Sequence, residues 1–115
     1  MERTRVEDFR RLVEAEITEL EGLRQQSADG RAPVALDQQS VGRLARMDAM
    51  QVQAMALAAE RRRAARLDQL RTVLQRIDDG EFGWCEDCGE AIPEGRLKVD
   101  PTARLCVACA RAQGR

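Results

Sequence analysis

The sequence has no histidine and no tyrosine, and its aromatic residues are two phenylalanines and one tryptophan among 115 residues. Because aromatic side chains supply much of the apolar area of a thick core, a compact sandwich or α/β sheet is not expected. Much of the apolar content is alanine, which favours long helices packed closely through small side chains. A chain of this length also leaves little room for a large catalytic cavity, so we expect a protein that is not an enzyme.

The sequence also has no large excess of basic over acidic residues, or of acidic over basic ones. Nineteen basic against twenty acidic residues give a net charge of -1, so no overall field attracts the chain to nucleic acid. We therefore expect no direct sequence-specific DNA binding. No stretch approaches eighteen apolar residues, and residues 1–8 contain no apolar signal segment. These absences predict a cytoplasmic protein that makes no membrane contact.

Two helices are predicted by capping and spacing. Thr4 and Glu7 form a capping-box pattern, so a first helix is expected to begin there. Turn residues follow at 27–33. A second helix is expected from Gln38 to about residue 79, with Asp37 as its N-cap, since this stretch contains no proline and a single glycine.

We expect the first helix to fold back on the second as an antiparallel hairpin with its tip at about 27–42. The predicted register pairs Leu23 with Val41, Leu20 with Leu44, Phe9 with Met55 and Val6 with Ala58. The apolar residues from Leu67 to Ile77 have no partner in this register, so they are expected to pack on the C-terminal module. Because the first helix covers the apolar seam, we expect a monomer.

The four cysteines form two Cys-x-x-Cys pairs separated by seventeen residues, namely Cys85, Cys88, Cys106 and Cys109. Two pairs at this separation favour one Zn²⁺ ion bound by four thiolates, because each pair forms a knuckle and the intervening loop brings the knuckles together. Gly89 suits a knuckle that requires a positive φ, and its amide is expected to point at a sulfur.

Other uses of four cysteines were weighed against zinc. Two disulfides require an oxidising compartment, for which the sequence carries no signal. An iron–sulfur cluster or a redox switch shares the ligand set and stays an alternative. A catalytic zinc needs an open coordination position, which four thiolates do not leave. The expected ion is therefore structural.

The run from Asp79 to Pro93, DGEFGWCEDCGEAIP, followed by Arg96-Leu97 and by PTARLCVAC at 101–109, closely resembles the DksA/TraR family of C4 zinc-finger proteins. The likeness spans about 79 to 110, and only the architecture matches across 1–78. Together with the predicted helices, this likeness leads us to expect a mainly α fold. A long antiparallel coiled-coil helical hairpin over 1–79 is followed by a small C-terminal four-cysteine zinc finger with a short helix over 80–115.

This resemblance implies a transcription regulator that binds RNA polymerase and inserts its hairpin tip into the secondary channel. The acidic tip motif of the family keeps only its first aspartate here. The candidate tip residues are Asp37, Ser40 and Asp48, for which an N-cap or a solvated helix face is the plain alternative. The candidate docking residues are Arg61, Arg62, Arg63 and Arg66, which could equally form a salt-bridged surface.

Some family members bind an alarmone, guanosine tetraphosphate, through basic residues around the finger. The equivalent positions here are Gln69, Asp100 and Ala110, none of which is basic, so alarmone binding by that route is not expected. Two other functions stay open. One is a zinc-finger adaptor that binds a protein or RNA without acting on polymerase, and the other is a thiol-based redox sensor.

Overall fold

The computed structural model describes residues 1–27 and 42–114. Within these ranges the chain forms four α-helices, which are α1 (Arg3–Gln26), α2 (Arg43–Asp78), α3 (Glu94–Val99) and α4 (Val107–Ala112). The described residues contain no strand beyond an isolated bridge between Trp84 and Ala91. Long helices followed by a C-terminal cysteine cluster confirm the predicted fold class.

Helix α1 begins slightly earlier than predicted. The carbonyl of Glu2 accepts the first helical hydrogen bond, from the amide of Val6 at 3.1 Å, and the helix starts at Arg3. Thr4 therefore lies inside the first turn and is not the N-cap. The capping-box pattern marked the right region but assigned the cap to the wrong residue.

Helix α2 begins at Arg43 rather than at Gln38, so the predicted start is wrong. The carbonyl of Gly42 accepts a hydrogen bond from the amide of Arg46 at 3.0 Å, and Gly42 itself is outside the helix. Glycine is unfavourable inside a helix because fixing its backbone costs the most conformational entropy. Asp37 and Ser40 lie outside the described residues.

The predicted end of the second helix is confirmed at Gly80, which adopts a φ of 75°. Its amide donates to the carbonyl of Ile77 at 3.1 Å, and the next amide, of Glu81, donates to that of Arg76 at 2.8 Å. This pair of bonds is a Schellman motif, in which a left-handed residue satisfies the last carbonyls of a helix.

The residues group into two compact units, each containing part of α1 and part of α2. The finger unit comprises Met1–Ile17 and Asp68–Arg115, and the helix-pair unit comprises Thr18–Leu67. The boundary at residue 79 that we inferred from the sequence pattern stays a prediction.

The core of the finger unit combines residues from both ends of the chain. Phe9 of α1 packs edge-on against Phe82, with ring centroids 5.3 Å apart and an interplanar angle of 82°. The other buried apolar residues of this unit include Val13, Leu70, Val73, Ile77, Ile92, Leu97 and Ala110. The first helix therefore helps to form the core of the unit that carries the cysteines.

The predicted helix register is wrong. Arg10 forms a salt bridge with Asp78 at 3.0 Å, and Phe9 contacts Phe82, whereas the sequence pattern placed Phe9 beside Met55. Leu67 and Leu70 of α2 and Val13 of α1 are among the most deeply buried side chains of the described residues. Burial of such large aliphatic side chains stabilises the observed register, because removing apolar area from water is favourable.

Within the helix-pair unit, Arg24 pairs with Glu60, and Arg63 donates to the hydroxyl of Ser27 at 3.1 Å. The predicted pairing of Leu20 with Leu44 would require a different register. The start of α2 instead carries six large apolar residues that are exposed, namely Leu44, Met47, Met50, Val52, Met55 and Leu57. We call residues 44–57 the Met-rich stretch. The premise of the monomer expectation, a seam covered by the first helix, does not hold there.

Candidate metal centre

The first knuckle is a tight loop closed by backbone hydrogen bonds. The amide of Cys85 donates to the carbonyl of Glu90 at 2.8 Å, and the amide of Gly89 donates to the carbonyl of Cys85 at 3.0 Å. Gly89 has a φ of 74°, as predicted for this position. Its amide was expected to point at a sulfur, and this is wrong, because the turn uses it to satisfy a carbonyl.

The second knuckle leads directly into α4. Cys106 is the N-cap residue of this helix, and its sulfur accepts a hydrogen bond from the amide of Cys109 at 3.4 Å. The backbone amide therefore directs partial positive charge at a ligand sulfur, as is usual for the groups around a metal site.

The sulfur atoms of the four cysteines form one cluster. All four sulfurs lie within 4.8 Å of one another, and the cysteines are free of disulfides. The sulfurs of Cys88 and Cys106 are 3.8 Å apart, close to the edge of roughly 3.8 Å that a tetrahedral site with zinc–sulfur bonds of about 2.3 Å requires. The donor set and its geometry fit one Zn²⁺ ion. Since four thiolates complete the tetrahedron, the ion stabilises the fold and has no position for a reacting water.

Hydrogen bonding prepares the ligands unequally for the metal. Backbone amides, that of Cys88 foremost, donate to the sulfur of Cys85 and lower its pKa to about 6. The pKa of Cys109 is raised above its usual value, chiefly by its hydrogen bond with the side chain of Cys106. Cys85 is therefore a thiolate at neutral pH before any metal binds, whereas Cys109 must lose a proton to the incoming cation.

Helix α2 holds the first knuckle through Arg76. Its Nη2 donates to the carbonyls of Trp84 at 2.9 Å and Glu81 at 3.1 Å, and its Nη1 lies 3.5 Å from a carboxylate oxygen of Glu86. Glu86 also accepts from Arg104 Nε at 2.9 Å. Sequence reasoning did not identify Arg76 as important. Its position in the last turn before Gly80, where a cation can reach free carbonyls, was the available signal.

The buried aromatic residue before the first cysteine is Phe82, which is 7% exposed and contacts Phe9, whereas Trp84 is 45% exposed. Both aromatic residues precede the first cysteine, and sequence alone gave no register that could distinguish them.

The structure describes five of the seven candidate partner residues. Asp48, Arg61 and Arg62 are exposed on α2, Arg63 is half-buried and bonded to Ser27, and Arg66 is half-buried. The two remaining candidates, Asp37 and Ser40, lie outside the described residues.

No helix within residues 1–27 and 42–114 has an apolar run long enough to cross a bilayer.

Comparison with known families identifies the cysteine region. Residues 80–113 match the prokaryotic dksA/traR C4-type zinc finger. The match contains both knuckles, α3 and α4, and it confirms the resemblance inferred from the residues.

Curated relatives match over the same region. RNA polymerase-binding transcription factor DksA of Escherichia coli K12 is 40% identical over 43 residues, which cover 37% of this chain and 28% of the relative. The factor of the same name from Haemophilus influenzae is 40% identical over 43 residues and is covered over 30% of its length. The chain thus matches less than a third of each relative.

A solved structure extends the likeness to nearly the whole chain. The structure of transcription factor DksA2 from Pseudomonas aeruginosa matches with a TM-score of 0.80 and 26% sequence identity. The alignment covers 98% of this chain and 85% of the other. The likeness to that factor is therefore one of fold and is not confined to the cysteine region.

Proposed function

We propose that the protein, whose residues 80–113 match the prokaryotic dksA/traR C4-type zinc finger, is a non-enzymatic regulator of transcription that binds RNA polymerase directly. The proposal depends on two similarities taken together, that of the finger sequence and that of the fold of nearly the whole chain. The finger matches factors named for polymerase binding, and the full chain matches a DksA2 structure at a TM-score of 0.80. The cytoplasmic location of the protein belongs to the same proposal.

The finer proposal is that the predicted hairpin tip, at about 27–42, enters the secondary channel of the polymerase. Asp37, Ser40 and Asp48 are its candidate contact residues. Asp48 is exposed on α2 and so is available to a partner. The near-neutral net charge of the chain supports a protein partner over duplex DNA, since DNA binding requires a concentrated positive surface.

Docking is assigned to exposed arginines of α2, which can grip carboxylates with two parallel hydrogen bonds. Arg61 and Arg62 are exposed, whereas Arg63 already donates to Ser27. Within the predicted set, Arg61 and Arg62 are therefore the better candidates.

The proposal is tested by competition for RNA polymerase against an established secondary-channel factor, with zinc-loaded protein. We expect displacement at micromolar concentrations. If the wild type neither competes nor co-purifies with polymerase, the adaptor alternative replaces this proposal.

Variants separate the two proposed contact regions. Asp48→Ala should reduce the effect on transcription and leave polymerase affinity nearly unchanged. Arg62→Glu should lower affinity, and more so at low salt because exposed charge pairs are screened. Arg63→Gln is a control for loss of an arginine on the same helix, and its loss of affinity should be the smaller one.

A further inference from the structure

A basic pocket lies beside the second knuckle of the finger unit. It has a volume of about 500 Å³ and is lined by Gln69 of α2, Arg96 of α3, the loop before Cys106 and helix α4. Three of its lining residues are arginines, namely Arg96, Arg104 and Arg111. These arginines are absent from the docking set predicted by the sequence.

The charge of this pocket differs from that of the chain as a whole. None of the described lining residues is acidic, although acidic residues slightly outnumber basic ones in the sequence. The lining holds three guanidinium groups, and the carboxylate of Glu86, which lies outside the lining, accepts a hydrogen bond from one of them, Arg104, so positive charge is in excess. Such a site attracts anionic groups even when the net charge is near zero.

Two of the guanidinium groups are held in place by single bonds through Nε. Arg96 Nε donates to the carbonyl of Leu105 at 3.0 Å, and Arg104 Nε donates to Glu86 at 2.9 Å. The terminal nitrogens of both groups take no part in these bonds. A guanidinium fixed in this way can offer its other edge to a carboxylate at a reduced entropic cost.

The remaining lining favours a polypeptide over a nucleotide. Val107 and Ala110 of α4 give the pocket an apolar side, and Val107 is exposed. None of the described lining residues is aromatic, so the pocket offers no ring on which a nucleobase could stack. An apolar side bordered by arginines instead matches a segment in which carboxylates alternate with aliphatic residues.

We propose that this pocket is a docking site for an acidic amphipathic segment of a partner protein, bound through Arg104 and Arg111. If the proposed function holds, RNA polymerase supplies that segment, and to this extent the partner's identity rests on it. The pocket itself is argued only from its own residues and can be tested without polymerase.

The test measures binding of the zinc-loaded full chain to a synthetic peptide of repeated Glu-Leu-Glu-Glu units by isothermal titration calorimetry. A second peptide has Gln in place of every Glu, and inorganic tripolyphosphate serves as a small anionic probe. We expect the acidic peptide to bind and the Gln peptide to bind at least about tenfold more weakly, because charge-assisted hydrogen bonds are the stronger ones.

Three variants that each remove one positive charge locate the binding. Arg104→Gln and Arg111→Gln should each weaken peptide binding about tenfold. Arg3→Gln is the matched control, because Arg3 is an exposed arginine of the same unit that neither lines the pocket nor belongs to the docking set. It should change the affinity less than about twofold, and far-ultraviolet circular dichroism and zinc content should be the same for all three variants.

Three results would overturn the proposal. The first is a wild type that does not bind the acidic peptide. The second is an Arg3→Gln variant that loses as much affinity as Arg111→Gln, which would indicate unspecific attraction. The third is tighter binding of tripolyphosphate than of the peptide, which would make the pocket a small-anion site. Each result leaves the polymerase competition assay unaffected, so failure here and failure of the proposed function are distinguishable.

Discussion

The finger unit buries large apolar side chains, whereas the Met-rich stretch leaves side chains of the same kind exposed. Leu70 is fully buried in the finger unit, whereas Leu44 at the start of α2 is 77% exposed. The finger unit also has a capped helix end, an aromatic pair and a site for zinc. The Met-rich stretch is a continuous helix whose large side chains face solvent in the single chain.

This difference shows that helix formation and burial are set by different parts of the sequence. Both regions contain good helix formers, and both are helical. Burial depends on whether another element can be brought alongside, and the finger supplies that element only at the end of α2. Exposed methionines suit a surface that adapts to a partner, because their side chains are flexible and polarisable.

Loss of a zinc ligand should give the largest contrast between the regions. Cys85→Ser should abolish stoichiometric zinc binding and unfold the finger, since binding a structural zinc contributes about 10–16 kcal/mol. Much of the helical signal should persist. Zinc content and far-ultraviolet circular dichroism check this, with Ala108→Ser between the second pair of cysteines as a control that should keep one zinc. Two reactive thiols in zinc-loaded wild type would contradict the four-thiolate site.

A matched pair of leucine truncations tests burial directly. Leu70→Ala should destabilise the protein by about 2–5 kcal/mol, because it removes a fully buried side chain and leaves a cavity. Leu44→Ala should change stability by less than about 0.5 kcal/mol. Urea unfolding measures both. A cost for Leu44→Ala near that of Leu70→Ala would show that the Met-rich stretch is covered in solution.

Acid should weaken zinc binding in two stages. In the folded metal-free chain the pKa of Cys85 is lowered from its usual 9.0 to about 6. Folding therefore favours the thiolate of Cys85 at pH values between about 6 and 9.0. That stabilisation is lost as pH falls through 6. Because the pKa of Cys109 is raised, protons compete with zinc for its sulfur already at neutral pH. The slope of log affinity against pH should therefore steepen by about one unit below pH 6, or about 1.4 kcal/mol per pH unit.

Chelator competition at a series of pH values measures this slope. The same titration with Ala108→Ser controls for unspecific acid effects on the finger. A slope that stays constant through pH 6 would show that Cys85 is not the ligand that is deprotonated first.

The smallest expected effect concerns the junction between α2 and the finger. Gly80→Ala should cost about 1 kcal/mol, because an alanine is strained at a φ of 75°. Gly95→Ala in α3 is the control. It adopts no positive φ and faces open space, so the change should be neutral or stabilising by up to about 1 kcal/mol. Equal thermal unfolding curves for both variants would exclude a structural role for the Schellman motif.

Features determined by local chemistry were predictable from sequence. The zinc site follows from the spacing of Cys85, Cys88, Cys106 and Cys109, and the helix end follows from Gly80. Each requires only neighbouring residues or a short loop. The positive φ of Gly89 belongs to the same class.

Features that depend on distant pairing were not predictable. Several antiparallel registers place aliphatic residues of α1 beside aliphatic or alanine residues of α2, so hydrophobic periodicity did not distinguish them. What decides the register is the aromatic contact of Phe9 with Phe82, which lies beyond the second helix. The basic pocket was missed for the same reason, since Arg96, Arg104 and Arg111 come together only when the finger is folded.

The contact between Phe9 and Phe82 has a consequence for the order in which the protein assembles. Arg5 and Glu94, which form an ion pair in the same unit, are 89 positions apart in the chain. A core built from such distant residues cannot close while the chain is still being synthesised up to the finger. Closing so large a loop slows folding, because its entropy is lost before the contacts are gained. Phe9 of the first helix therefore lacks its aromatic partner until Phe82 has been synthesised.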